Sequence, residues 1–223
     1  MKQQNRLKDL SFDEIRTING FACYRTVAEM YQLMTDMQSN YSDLVELVDI
    51  GDSWHKANPG GNAGHDIQVV KITNKNVTTA DKPVLYAMGS IHSREYPPAE
   101  LVTRFAEHLL SQYGQDADVT WLVDHHEIHL LLIGNPDGRI ISENEAQYHQ
   151  RKNRNENHCP DDINGNHLPG EMQGVDMNRN FEFLWDQGSG SSGNQCNPSY
   201  RGTVAVSEPE TQAIKWFTEN HNF

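Results

Sequence analysis

Apolar and polar positions along the chain switch between a helical rhythm and a strand rhythm. In YRTVAEMYQLMTDMQ (24–38), Val27, Met30, Tyr31, Met34 and Met37 recur every three or four residues, which predicts an amphipathic helix. Its methionine stripe reads as core packing rather than a soft-metal site, because unbranched thioethers fill irregular gaps in apolar interiors. LVELVDIG (44–51) and DIQVVKIT (66–73) read as strands, and the Gly- and Asn-rich HKANPGGNAGHD between them reads as a hairpin-like loop. KPVLYAMGSIH (82–92) predicts a third strand, and its nearly unbroken apolar run places it centrally in a sheet. Pro97 and Pro98 suit the first turn of a helix, where a missing N–H costs nothing. Leu101, Phe105, Leu109 and Tyr113 then follow at helical spacing. EIHLLLIGNPDG (127–138) predicts a fourth strand that ends in a tight turn. Residues 139–202 are rich in Asn, Gly, Asp and Ser and carry little periodicity, and so long an irregular tract is usually functional. SEPETQAIKWFTEN (207–220) predicts a helix with Ser207 as N-cap, Pro209 in the first turn and Glu210 three residues after the cap.

Strands that alternate with helices predict a sheet covered on both faces. Ligands in such folds bind beyond the carboxyl ends of strands, where His92 falls. The 223 residues suffice for one large domain or two small ones, and 36% hydrophobic content suffices for a core. No apolar run reaches the length of about 18 residues that a membrane-spanning helix needs. MKQQNRLKDLSFDE at the N-terminus lacks a signal-peptide pattern, so the protein is not exported or the chain begins after a removed leader. A formal charge of −13 argues against a nucleic-acid partner, since acidic chains repel phosphate backbones. Three cysteines, Cys23, Cys159 and Cys196, form neither a disulfide framework nor a Cys-x-x-Cys zinc knuckle.

Several stretches carry candidate chemistry. GSIHSREYPPAE (89–100) sets His92 and Glu95 three positions apart. Imidazole and carboxylate both suit zinc, but a solvated turn explains the same residues. HQRKNRNENH (149–158) holds Arg151, Lys152 and Arg154, either as a surface charge run or as a source of a guanidinium for developing negative charge. In GVDMNRNF (174–181), Arg179 beside the amide of Asn178 makes a plausible carboxylate clamp, and Asp176 could orient neighbouring donors. DHHEIH (124–129) looks like a metal cluster. Strand alternation would put His125, Glu127 and His129 on one face and His126 on the other, and a structural or surface role is the stronger reading. There is no Gly-x-Ser-x-Gly elbow, no phosphate loop and no cysteine with a patterned histidine nearby.

The ordered set HSRE, EIHLLLIGNPDG, RKNR, GVDMNRNF, CNPSYRG and SEPET resembles the zinc metallocarboxypeptidases related to carboxypeptidases A and T. The opening YRTVAEMYQLMTDMQSNYSDLVELVDIG resembles the first helix and strand of that domain, so the likeness covers nearly the whole chain. It implies an α/β fold with a mixed, mostly parallel central sheet, helices on both faces, and a single catalytic domain over residues 1–223. It also implies Zn2+ as cofactor and the C-termini of peptides or proteins as partners. His92 and Glu95 resemble the first two zinc ligands, and Arg151 the arginine that polarises the scissile carbonyl. Asn178 and Arg179 resemble the clamp on the substrate carboxylate, and Arg94 a residue lining the groove for upstream substrate. Cys159 and Cys196 resemble a pair bridged in several relatives, which would favour an oxidising compartment, secreted or periplasmic. In relatives a further strand supplies the third zinc ligand, a histidine, and later segments supply a general-base glutamate and a substrate-binding tyrosine. The chain ends at HNF (221–223), so the expected domain lacks its last strands. His221 matches the connecting segment rather than the ligand position. A non-catalytic binder of chain ends, and an amidase or deacylase on the same scaffold, are the rival readings.

Overall fold

In the computed structural model, four strands make one sheet: Val45–Asp52 (β1), Asp66–Ile72 (β2), Val84–Met88 (β3) and Glu127–Leu131 (β4). The structure describes residues 18, 20, 21, 23–58, 60, 63–78, 81–144, 149–159, 172–188, 190–221 and 223. The N-terminal stretch read for a leader, and part of the loop between β1 and β2, lie outside them. Strand order is β1-β2-β4-β3. The sheet is mixed, but β1–β2 and β2–β4 pair antiparallel and only β3–β4 is parallel, so "mostly parallel" does not hold for these four strands. β1 and β2 pair antiparallel across the connection of residues 53–65. The connection also holds one helical turn, Trp54–Ala57 (α2).

Helices cover both faces. Val27–Asn40 (α1), Tyr96–Gln112 (α3) and Ala117–His125 (α4) share one core with Val70, Ile72, Ile128 and Leu130. Pro209–Glu219 (α6) packs Ala213, Ile214 and Phe217 on the other face against Ile67, Val69 and Leu131. The alternation along β2 and β4 sends successive apolar side chains to the two cores. α1 begins with a full capping box: Glu29 N donates to Thr26 Oγ1, and Thr26 N donates to the Glu29 carboxylate. Its buried stripe is Val27, Met30, Met34 and Met37, as the periodicity predicts.

Several expectations need correction. β2 and β4, not β3, are the inner strands, and β3 has only β4 beside it among the described residues. Leu85 and Met88 of β3 are accordingly exposed. A continuous apolar run reports which faces are covered, and it says nothing about whether both edges are paired. α3 buries Ala99, Thr103, Ala106, Leu109 and Leu110, with Phe105 and Tyr113 partly buried against the same core, whereas Leu101 is 69% exposed, so of the expected row only Leu101 faces away from the core. Asn-Pro-Asp-Gly is not an isolated turn. Asn135 accepts from Gly138 N as the N-cap of a further helix, Pro136–Ser142 (α5). The sequence pattern does not show α4, although Asp116 accepts from Asp118 N and Val119 N as its cap. Because α4 runs through His125, strand alternation begins only at Glu127. His129 bonds Glu127 at 3.1 Å and packs on Phe217, a structural role.

The N-cap of α6 is Glu208 rather than Ser207. Ser207 Oγ instead donates to Glu208 Oε1 and accepts from Asn180 Nδ2. The SEPET segment is a buried carboxylate network. Asn153 Nδ2 donates to both Glu208 and Glu210, Asn155 Nδ2 donates to Glu208, and Trp54 N donates to Glu210. Burial pushes the Glu210 carboxyl up to about 8, against the donors that favour its charge. A carboxyl raised in the folded state holds its proton more tightly there than in the unfolded chain. Stability is therefore fully present below the ordinary carboxyl range and declines as pH climbs to about 8. Denaturant titrations across pH 4 to 9 should show this decline, and Glu210→Gln should flatten it between about pH 5 and 8. An unchanged slope in the variant would assign the decline to other groups.

Candidate functional site

The chain leaves β3 through Gly89 into a tight turn that ends at α3. A Cβ on Gly89 would lie 2.7–2.8 Å from the backbone of Pro98 and Ala99, so only glycine lets the turn fold back on the helix. Ser90 follows at φ 52°, in the left-handed region. Gly89 N donates to Leu131 O and Gly134 N donates to Gly89 O, which carries the sheet bonding one step beyond the strands. The turn is then tied to the 149–159 segment and to the end of α5. Ser93 N donates to Arg151 O, Ser93 Oγ to Gln150 O, and Ser142 Oγ to Ser93 O.

These ties hold His92 buried at the carboxyl end of β3. Its Nδ1 stands 2.9 Å from Glu95 Oε1 and its Nε2 stands 3.0 Å from Asp176 Oδ1. Asp176 is fully buried, and its Oδ1 also accepts from Asn178 N as the N-cap of a 3-10 turn, Met177–Arg179. Its Oδ2 accepts from Arg151 Nε at 3.2 Å and Nη2 at 3.0 Å. Burial pushes the Asp176 carboxyl up, but His92 and Arg151 together hold it below the usual carboxylate range. Arg151 Nη1 also reaches within 3.6 Å of Glu95 Oε1. One guanidinium thus spans the two carboxylates that flank His92.

The surface-charge reading of the RKNR run does not survive. Lys152 and Arg154 are 2% and 8% exposed. Lys152 Nζ donates to Gln195 O and Asn197 O, and burial brings the ammonium down to about 7. These carbonyls flank Cys196, which is disulfide-bonded to Cys159, and Cys23 is free and exposed. The segment is pinned by Asn153 N donating to Val175 O and by Asn135 Nδ2 donating to Lys152 O. Gly174 makes the crossing possible: its φ is +93°, and a Cβ there would lie 2.0 Å from Asn153 O.

Asn178 is exposed, and Arg179 stands beside it half-buried. Arg179 Nε donates to Gly190 O at 2.7 Å and Nη1 to Asn178 O at 3.2 Å, both neutral acceptors. Among the described residues no carboxylate pairs with Arg179. Arg94 is exposed, and its Nη1 lies 3.4 Å from His149 O.

The fold therefore brings His92, Glu95 and Arg151 to one point, and Asp176 is the neighbour whose partnership with His92 the sequence does not reveal. In the sequence Asp176 reads only as an orienter of nearby donors, and its lone carboxylate in an otherwise uncharged stretch before Arg179 is the available signal. Two ligands of one zinc, each at about 2.0–2.1 Å and near the tetrahedral angle, stand about 3.3 Å apart. His92 Nδ1 and Glu95 Oε1 face each other at 2.9 Å, so they fit one ion with slight widening. The other imidazole nitrogen meets a carboxylate, the arrangement that orients metal-binding histidines. Among the described residues no group of three or more His, Cys, Asp or Glu forms a complete metal site. His221 bonds Phe217 O and packs on Phe217, His129 and Phe223, away from the His92 turn in its bonding.

Comparison with known proteins finds relatives of the chain as a whole. A family model described as zinc carboxypeptidase matches residues 30–223. Carboxypeptidase A2 of Mus musculus is 31% identical over 204 residues, covering 91% of this chain and 43% of that protein. Carboxypeptidase A from Helicoverpa armigera superposes with a TM-score of 0.69 at 27% identity, covering 96% of this chain and 45% of that one. Bovine thrombin-activatable fibrinolysis inhibitor, solved in complex with tick carboxypeptidase inhibitor, gives a TM-score of 0.67 at 26% identity, covering 88% of this chain and 56% of that one. The chain spans less than half the length of the curated relatives it matches. The match over residues 30–223 establishes that the chain belongs to the zinc carboxypeptidase family.

Proposed function

We propose that this chain carries the first portion of a metallocarboxypeptidase site, in which zinc-activated water hydrolyses the C-terminal peptide bond of peptides or proteins. The observation that carries the reading is the convergence of His92 Nδ1 and Glu95 Oε1 at 2.9 Å, with Asp176 on the far nitrogen of the same imidazole. His92 and Glu95 would hold the ion, and the Asp176 carboxylate would keep the imidazole oriented with Nδ1 toward it. When bound, zinc lowers the pKa of its water to near neutral and polarises a carbonyl. Arg151 would place its guanidinium against negative charge developing on the carbonyl oxygen, partly released from Asp176 and Glu95. Arg179, whose bonds go to neutral carbonyls, and the exposed amide of Asn178 would grip the substrate's terminal carboxylate. Arg94 would line the path of upstream substrate. The third ligand and the general base are assigned to the region of the family's domain that this chain does not match.

A second reading has one observation in its favour, the incomplete donor set among the described residues. In it, the chain holds peptide C-termini through Arg179 and Asn178 without cleaving them. Release of C-terminal amino acids from a mixed peptide panel by the full-length gene product, lost on chelation and restored by zinc, separates the two. Turnover that ignores a chelator would exclude the metal-dependent reading.

Arg179→Ala should raise KM by at least about ten-fold, in keeping with loss of a charge-assisted hydrogen-bonded pair, while Arg179→Lys recovers some of it. Unchanged steady-state kinetics would remove Arg179 from the clamp. Asp176→Asn should weaken zinc binding by about 10–100-fold, measured by competition with a chromogenic chelator. Equal affinities for the two proteins would mean that the Asp176 bond does not orient the ligand.

A further inference from the structure

Beside Glu95, a cavity of about 480 Å3 opens to the surface, and Asp176 is not among its lining residues. Its lining is Phe21, Tyr24, Arg94, Glu95, Tyr96, Pro97 and His149. Three of these are phenyl or phenol rings that pack on one another. Phe21 meets Tyr96 edge-on with centroids 5.1 Å apart, and Tyr24 meets it tilted at 5.9 Å. Tyr96 is the fixed member. It is 4% exposed, its hydroxyl donates to Ser142 O, and the Arg139 guanidinium lies 3.9 Å from its ring centroid. It is also the first residue of α3, directly after Glu95, so this ring adjoins the turn that carries the two candidate metal ligands. Phe21 is 37% exposed and forms the open lip. Arg94 stands at the same cavity, and among the described residues no carboxylate pairs with it.

We infer that this cavity is a specificity pocket for a large apolar side chain, preferably aromatic, on the amino side of the cleaved bond. The inference rests on the peptidase reading above and adds the substrate class to it. Phe21, the exposed ring of the cluster, can take an incoming ring edge-to-face. The volume admits a phenyl or indole group, and the largely aromatic lining offers little to a small polar side chain. Arg94, free of a carboxylate, is placed to donate to a main-chain carbonyl while the side chain fills the pocket. Phe21 and Tyr24 come from the segment before α1, whereas Arg94, Glu95 and Tyr96 come from the ligand turn and the start of α3, so the pocket joins two segments far apart in sequence.

The test uses the full-length gene product and blocked tripeptides with a constant C-terminal residue. The two preceding positions are varied one at a time among Gly, Ala, Leu, Phe and Asp. Phe should exceed Gly at one position by about ten-fold or more in kcat/KM. Phe21→Ala should collapse that ratio, and Phe21→Leu should restore it for Leu more than for Phe. A flat series in an active enzyme, or a preference untouched by Phe21→Ala, would overturn the pocket while leaving the peptidase reading intact. Should no tripeptide be cleaved, binding of the fluorescently labelled Phe and Gly tripeptides is compared by polarisation. Tighter binding of the Phe peptide that disappears in Phe21→Ala sustains the pocket without the reaction, and equal binding ends it.

Discussion

One buried charge organises this protein. The Asp176 carboxylate has no access to solvent, and burial alone would drive it neutral. It stays ionised because His92 Nε2, Arg151 and Asn178 N all converge on it. Those partners come from separate segments: the turn after β3, the stretch after α5 and the 3-10 turn. Satisfying a single carboxylate therefore forces three pieces of irregular chain to one place. A buried ion pair adds little net stability on average, but removing one partner leaves an uncompensated charge, so such a network dictates geometry more than it adds energy.

Around that charge lies a layer of neutral hydrogen bonds. Asn135 caps α5 and also donates to Ile91 O and Lys152 O, so one amide joins the helix start to the His92 turn and the Arg151 segment. Asn153 acts in the same way nearby, linking Val175 N to the Glu208 and Glu210 carboxylates of the α6 start. Neither amide touches the candidate ligands. Each satisfies buried backbone groups that the irregular tract cannot satisfy by regular pairing.

Sequence pattern is most informative where side chains face a single apolar core. The α1 stripe and the four strands are legible because the periods of 3.6 and 2 survive in the residues themselves. β3's place in the sheet is not, since edge pairing leaves no mark on an apolar run. The N-cap of α6 falls one residue from its expected place because Ser207 has the right chemistry for a cap but is engaged by Asn180 and Glu208. At the site, six short motifs in the right order mark His92, Glu95, Arg151, Asn178 and Arg179 as a candidate set through their resemblance to the family. Their mutual distances depend on long-range contacts, such as the 84-residue separation of His92 and Asp176, which no local pattern encodes. The burial of Lys152 and Arg154 is likewise hidden, because a run of cations reads as solvated unless its acceptors, here distant carbonyls and a side-chain amide, are known.

The strand of chain around Cys196 is held twice. The disulfide to Cys159 joins it covalently to the segment that follows Arg151, and the Lys152 ammonium grips the carbonyls on either side of the same cysteine. The two restraints fail under different conditions. Reductant opens the first and leaves the second. A rise in pH weakens the second, because burial brings the ammonium down to about 7 and the neutral amine is a weaker donor, and leaves the first. The segment that follows the proposed clamp therefore has redundancy: neither reductant nor a rise in pH acts on both restraints.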